Sequence, residues 1–167
     1  MIDVGTGSGC LACAVAAGRG DARVLALELS PDAARVAHEN VRALGLRGRV
    51  RVVVADLMTA VGAVEADLIV SNPPYLPSEI VPDLPPEVRD HEPRVAFDGG
   101  PGGMRLIPQI VTAARTRLGP GGAVALETAG VVQAREVADL LRAAGLVDVS
   151  LREDLAGVMR LVAGRHS

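Results

Sequence analysis

The sequence has almost no aromatic residues: one tyrosine, one phenylalanine and no tryptophan among 167 residues. Few platforms are therefore available on which a flipped base could stack. Positive charge is not in excess either, with 17 basic against 20 acidic residues, a net charge of −3 and a pI near 5.6. The chain as a whole lacks the electrostatic footprint of a nucleic-acid-binding domain. No apolar run is long enough to span a bilayer, and no basic-then-apolar leader precedes the first strand, so the expected compartment is the cytoplasm. There are only two cysteines, Cys10 and Cys13, in a single C-x-x-C. Zinc would need further ligands, and His38, His91 and His166 lie far off without ligand spacing. The small apolar neighbours Leu11, Ala12, Ala14 and Val15 predict buried helix positions rather than a redox pair.

What is present is apolar: 49% of the residues, mostly Ala, Val and Leu. The length suits one domain that buries roughly 70% of its extended surface. The most informative stretch is Ser71-Asn72-Pro73-Pro74-Tyr75. It follows an apolar run over 66–70 that reads as a buried parallel strand. The two prolines end that strand, because they fix their own φ and donate nothing to a sheet. Asn72 and the only tyrosine are thereby held at the carboxyl end of a central strand, where open α/β sheets bind ligands. The Asn72 amide oxygen and the Pro73 carbonyl are two acceptors for the two N–H bonds of a planar NH₂ group, and the Tyr75 ring can stack on that plane.

The start of the chain reads as strand, glycine turn, helix: residues 1–4, then Gly5-Thr6-Gly7-Ser8-Gly9, then an Ala-rich helix to about Gly18. The spacing is G-x-G-x-G; a dinucleotide fingerprint would need glycine where Cys10 stands. Asp3, Thr6 and Ser8 add polar groups that a purely structural turn does not require. A second strand over 23–29 carries Glu28 at its carboxyl end, placed to accept both hydroxyls of a ribose. Ser30 and Pro31 predict an N-cap and first helical residue, with the helix running to about Leu44. A third strand over 49–55 ends at Asp56-Leu57. Asp56 can accept from the exocyclic amine of adenine with Leu57 over the ring, or can cap the short segment that follows.

Residues 72–102 are expected to form a long Pro-, Asp- and Glu-rich loop that covers the site or shapes its entrance. A helix over 103–118, a turn over 119–122, a strand over 123–127 and a helix over 131–144 follow. The last two strands, over 147–152 and 158–163, form a hairpin turning near Ala156-Gly157, which adds an antiparallel strand to a parallel sheet.

In order and placement, the glycine turn, Glu28, Asp56 and Asn72-Pro73-Pro74-Tyr75 resemble the motifs of the S-adenosylmethionine-dependent methyltransferases. Pro86-Glu87-Val88-Arg89-Asp90-His91-Glu92-Pro93 and Phe97-Asp98-Gly99-Gly100 look like the bacterial release-factor glutamine methyltransferases, as do Ala125-Leu126-Glu127 and Asp154-Leu155-Ala156-Gly157. The resemblance covers essentially the whole chain. It implies a Rossmann-like fold: a mostly parallel seven-stranded sheet with an antiparallel C-terminal hairpin strand and helices on both faces. It implies S-adenosylmethionine as cofactor, its methionine part and ribose held by Asp3, Gly5, Thr6, Gly7, Ser8, Gly9 and Glu28, its adenine by Asp56 and Leu57. The target amide of a release factor would be held by Asn72, Pro73, Pro74 and Tyr75, with Asn72 also near the cofactor. The family carries a helical substrate-recognition domain ahead of the glycine motif. Here residues 1–167 are expected to be the methyltransferase domain without it, and Thr128-Ala129-Gly130 departs from the family's aliphatic-glycine pattern.

The implied reaction is a direct displacement, with no metal and no covalent enzyme intermediate. An adenine-N6 methyltransferase acting on nucleic acid uses the same cradle, but needs the basic face and stacking platforms missing here. A nicotinamide oxidoreductase lacks its third glycine, and a non-catalytic remnant, made inactive by its short first strand, would bind cofactor without transferring methyl.

Overall fold

The computed structural model describes residues 1–62 and 64–167. Strand β1 (Ile2–Val4), helix α1 (Cys10–Gly18), β2 (Val24–Glu28), α2 (Pro31–Ala43), β3 (Val50–Val54) and β4 (Ala66–Ser71) alternate along the first part. The stretch after β4 holds a short helix, α3 (Pro86–Arg89), and 3₁₀ turns at Ser78–Asp83, Arg94–Ala96 and Pro101–Gly103. Then come α4 (Ile107–Arg117), β5 (Leu118–Glu127), α5 (Val131–Ala143), β6 (Val147–Glu153) and β7 (Met159–Arg165). The strands form one seven-stranded sheet in the order β3-β2-β1-β4-β5-β7-β6, with only β7 antiparallel to its neighbours. This is the mostly parallel, Rossmann-like sheet that the sequence predicts.

All three residues of β1 are buried, as a central parallel strand covered on both faces requires. Side chains along β2 alternate between two cores. Val24 and Ala26 pack with Ala12 and Ala16 of α1 and Ala34 and Ala37 of α2, whose small side chains let helix and sheet approach closely. Leu25 and Leu27 belong to the opposite core, with Ile107 and Ile110 of α4 and Val137 and Leu141 of α5. Ser30 caps α2 as predicted, its hydroxyl accepting from the Ala33 N–H at 3.3 Å, with Pro31 at the first helical position.

Three boundaries differ from the sequence reading. Helix α4 starts at Ile107 rather than Gly103, and Pro108 falls in its first turn, where a missing N–H breaks no helical bond. Strand β5 begins at Leu118 and takes in residues 119–122, expected as a turn. Leu118 pairs with Ala66 and Ala123 with Leu68, so the glycine-rich residues bulge from a continuing strand. The bulge is held by His166, through Gly121 N–H to the His166 carbonyl at 3.0 Å and His166 N–H to the Gly122 carbonyl at 2.8 Å. Finally, the stretch over 72–102 is not structureless. Its ends are pinned together by a parallel bridge between Leu76 and Asp98 and by the Leu76 N–H donating to the Phe97 carbonyl at 2.9 Å. Among the described residues no helix is long and apolar enough to cross a membrane.

Candidate active site

The parallel register lines up the carboxyl ends of the strands. Val54 pairs with Glu28, Leu27 with Val4, Val4 with Ser71, and Ser71 with Leu126. Glu28, Gly5, Asn72 and Glu127 therefore leave the sheet along one edge, with Asp56 just beyond Val54. The residues singled out from sequence converge there.

Gly5 and Gly7 adopt φ of +70° and +57°, which strains any residue with a side chain. A Cβ on either would meet nothing within 4 Å, so the loop presents bare backbone to open space. The loop is fastened from behind. The Leu27 carbonyl accepts from the N–H groups of both Gly5 and Thr6 at 2.9 Å. Glu28 accepts from the Gly7 N–H through Oε2 at 2.7 Å and from the Ser30 N–H through Oε1 at 2.9 Å. Glu28 is half-buried rather than a surface acid, and each oxygen keeps a further lone pair for a ligand hydroxyl. Asn40 of α2 donates to the Ser8 carbonyl at 2.9 Å. Gly9 opens α1.

Asp3 lies beneath the loop with 0% exposure, and Thr6, whose side chain turns down to it, is buried as well. Its Oδ2 accepts from the Thr6 hydroxyl at 2.6 Å and from the Ala12 N–H at 3.1 Å. Oδ1 is buried with no partner among the described residues. Burial pushes this carboxyl above its usual range; the Thr6 and Ala12 bonds pull it down, and the nearby Glu28 charge pushes it up again.

Asp56 is exposed, and turns rather than a helix follow it. Its main-chain carbonyl, not its side chain, takes the Thr59 N–H at 3.1 Å and hydroxyl at 2.7 Å. The capping role for its side chain is thus not the one used. Leu57 holds φ of +48°, a strained backbone for a branched residue of the kind that gathers at sites.

At the exit of β4, the Ser71 hydroxyl donates to the Val4 carbonyl at 2.7 Å. Asn72 is exposed, Pro73 buried, and Pro74 and Tyr75 half-buried. The Tyr75 hydroxyl donates to Glu127 Oε1, and the Tyr75 carbonyl accepts from Gln133 Nε2, both at 3.0 Å. Glycines at 99 and 103 press against this segment: a Cβ at Gly99 would come within 2.5 Å of the Pro74 carbonyl oxygen. Behind them Asp98, 7% exposed, accepts from the Ser78 hydroxyl at 2.5 Å, the Gly100 N–H at 2.9 Å and Arg94 Nε at 2.7 Å. These donors hold its carboxyl down at about 2.

Sequence reasoning did not find Gln133 or Asn40, and gave Glu127 no role. Gln133 carried one legible signal: an amide on the apolar stripe of α5, beside the buried Ala134, Val137, Ala138 and Leu141. The hairpin turn Asp154–Gly157 reaches the same edge. Asp154 accepts from the Val158 and Ala156 N–H groups and from Arg160 Nε, which lower its pKa, and the Thr128 N–H donates to the Arg160 carbonyl at 2.8 Å.

Residues 1–81 match the methyltransferase small domain family. Over 164 residues the chain is 42% identical to a release factor glutamine methyltransferase of Caulobacter vibrioides, covering 98% of this chain and 56% of that protein. A release factor glutamine methyltransferase of Cereibacter sphaeroides is 43% identical over 165 residues, with 99% and 59% covered. The chain thus spans between half and two thirds of the length of these relatives. Among solved structures, a methyltransferase from Pyrococcus furiosus superposes with a TM-score of 0.73 at 18% identity, covering 98% of this chain and 73% of that one. The catalytic domain of hMettl16, solved with a MAT2A 3′UTR hairpin, gives 0.74 at 19% identity, with 98% and 62% covered. At such identities these two structures show the fold alone.

Proposed function

By sequence the chain belongs to the release factor glutamine methyltransferase family, and from that premise we propose that it transfers a methyl group from S-adenosylmethionine to the side-chain amide nitrogen of a glutamine in a release factor. One observation carries the reading: Val4 and Ser71 are a register pair, so Gly5 and Asn72 leave the sheet side by side. A cofactor on the glycine loop and an amide on Asn72 would therefore be neighbours.

The chain's own groups fit the cofactor. Gly5 and Gly7 leave room for a ligand against the main chain. Glu28 stands at the end of β2 with lone pairs to spare for ribose hydroxyls. Asp3, beneath the loop, holds a buried oxygen that has no partner among the described residues, an acid suited to a cationic ligand. Asp56 and Leu57 border the same edge for adenine. When bound, the cofactor supplies a sulfonium methyl already activated for displacement.

The remaining work is to align and activate the nitrogen. An amide nitrogen is a weak nucleophile because its lone pair is delocalised. Asn72 Oδ1 and the Pro73 carbonyl accept its two N–H bonds and stabilise the positive charge that develops as the nitrogen attacks, an interaction stronger in the transition state than in the ground state. The Tyr75 ring fixes the amide plane, and the line from nitrogen to methyl to sulfur follows from that placement.

The test is radiolabelled methyl transfer with the purified chain and a release factor. Label is expected in the release factor and lost when its glutamine is replaced. Label in DNA or RNA instead would reject this reading for the adenine one. No label in either, with cofactor binding intact by calorimetry, would leave a binding remnant.

A further inference from the structure

We infer that Gln133 is a positioning residue for the methyl transfer, fixing from behind the backbone that carries the amide-binding acceptors. The inference rests on the reading of Asn72–Tyr75 given above. That segment has little means of holding itself, since neither Pro73 nor Pro74 has an N–H to donate. The Tyr75 carbonyl is instead anchored from α5: Gln133 Nε2 donates to it at 3.0 Å and to the Gly103 carbonyl at 3.3 Å. Gln133 Oε1 accepts from the Ala129 N–H at 2.8 Å. One amide thus ties together the acceptor segment, the end of the stretch over 72–102, and the turn between β5 and α5.

Gln133 is 7% exposed, on a helix face where packing alone would favour an aliphatic residue. The backbone around it is shaped to be reached. At Gly103 the φ is +74°, and a Cβ would lie 2.1 Å from the Tyr75 carbonyl oxygen and 2.7 Å from Gln133 Nε2. Only glycine lets the two carbonyls come together on one amide. Prolines at 73 and 74 fix φ on both residues before Tyr75, so the direction of the anchored carbonyl is relayed to that of Pro73. A displacement of about 1 Å in a reacting group costs about 10²-fold in rate.

Two variants test the role. Gln133→Leu removes donors and acceptor at similar volume. Gln133→Glu keeps the acceptor and regains one donor when protonated; burial raises the pKa of such a carboxyl, so the donor is present at low pH and lost as pH rises. Methyl transfer to a release factor, followed from pH 5 to 9, is expected to show kcat reduced about 30- to 100-fold in Gln133→Leu. KM for the release factor and Kd for S-adenosylhomocysteine should stay within about twofold of the parent, because Gln133 bonds neither the glycine loop nor Glu28 and is itself buried. Gln133→Glu should recover toward the parent as pH falls. A Gln133→Leu kcat within twofold of the parent, or a Gln133→Glu activity in constant ratio to the parent across pH, overturns the inference. If the parent labels no release factor while binding cofactor, the substrate reading fails, and amide exchange decides the inference alone. The Leu76 and Gly99 amides should then exchange at least about tenfold faster in Gln133→Leu, or in Gln133→Glu at pH 8 if the leucine variant does not fold. Unchanged protection overturns it.

Discussion

The Tyr75 hydroxyl donates to Oε1 of Glu127 at 3.0 Å, joining the exit of β4 to the end of β5. Burial and then the Glu127 carboxylate push the phenol above its usual range, with Arg160 pulling the other way, so it stays a donor at neutral pH. Tyr75→Phe keeps the ring and loses the bond. It is expected to cost about 1 kcal/mol of stability and less than about tenfold in rate. Tyr75→Ala, which removes the ring face, should be worse on rate. Steady-state assays of both decide; a phenylalanine variant as poor as the alanine one would give the role to the hydroxyl.

Asn72→Ala removes one acceptor from the attacking amide. By analogy with loss of one oxyanion-hole donor, the rate should fall about 10²- to 10³-fold. Cofactor binding should change little, since the methionine and ribose contacts lie on earlier strands. Asn72→Asp keeps an acceptor oxygen and should be less damaging than alanine, although its charge can hold the sulfonium in its ground state. Single-turnover rates beside calorimetric Kd values separate these effects.

Asp3→Asn should move stability and binding in opposite directions. The wild-type carboxyl has one buried oxygen without a partner among the described residues, an unfavourable burial that a neutral amide relieves when the group is charged. Because its folded pKa is raised, the destabilisation is full above that raised pKa, fades as pH falls through it and is gone below the ordinary carboxylate value of 3.8. At pH 7 the variant is expected to be at least as stable as the parent in urea, yet to bind S-adenosylmethionine about tenfold more weakly. A less stable variant with unchanged affinity would make Asp3 only a brace for the loop.

Asp98 sets an acid limit. Its folded pKa, about 2, lies below the unfolded value of 3.8, so its contribution is complete above about pH 4 and disappears as pH falls through 2. Urea midpoints of the parent and Asp98→Asn should differ by a constant amount from pH 5 to 7 and converge between pH 4 and 2. Parallel curves down to pH 2 would contradict the pairing with Ser78, Gly100 and Arg94.

Two glycine substitutions should fail for different reasons. At Gly103 an added Cβ strikes the Tyr75 carbonyl, so Gly103→Ala should lose at least about 3 kcal/mol or not fold. At Gly5 there is open space and only a positive φ, so Gly5→Ala should cost about 1–2 kcal/mol while cofactor binding falls much further. Denaturation and titration on each variant check the contrast.

The sequence carried the strand ends clearly, because punctuation and polarity coincide there. Gly5 to Gly9 turn, Ser30-Pro31 starts a helix, and Pro73-Pro74 stops a strand, each by backbone chemistry that tertiary context cannot override. Glu28 stood out by its place at the carboxyl end of the second strand. Its double role did not, because its two donors are main-chain N–H groups of Gly7 and Ser30, which no residue type announces. Asn40, Gln133 and the Ser78–Asp98–Arg94 cluster were hidden for a related reason. Apart from Arg94, four residues from Asp98, their partners are carbonyls or side chains 20 to 58 residues away, brought near by a loop path that local propensity does not fix. The same is true of strand order: alternation predicts a terminal hairpin, but not that β7 enters between β5 and β6.

That insertion bears on how the chain reaches its folded state. Strands β5 and β6 are both made before the strand that separates them, and β7 pairs with each, from Ala123↔Arg165 on one side to Glu153↔Met159 on the other. During synthesis, β5 emerges with Val124 and Leu126 already due for burial and one edge unpaired. The parallel half, from β3 through β4, can assemble as it appears; the far half must wait for its last-made member. In that interval the unpaired edge of β5 is a template for another nascent chain. Helix α5, packed on β6 and β7 in the finished fold, is the element available to shield it.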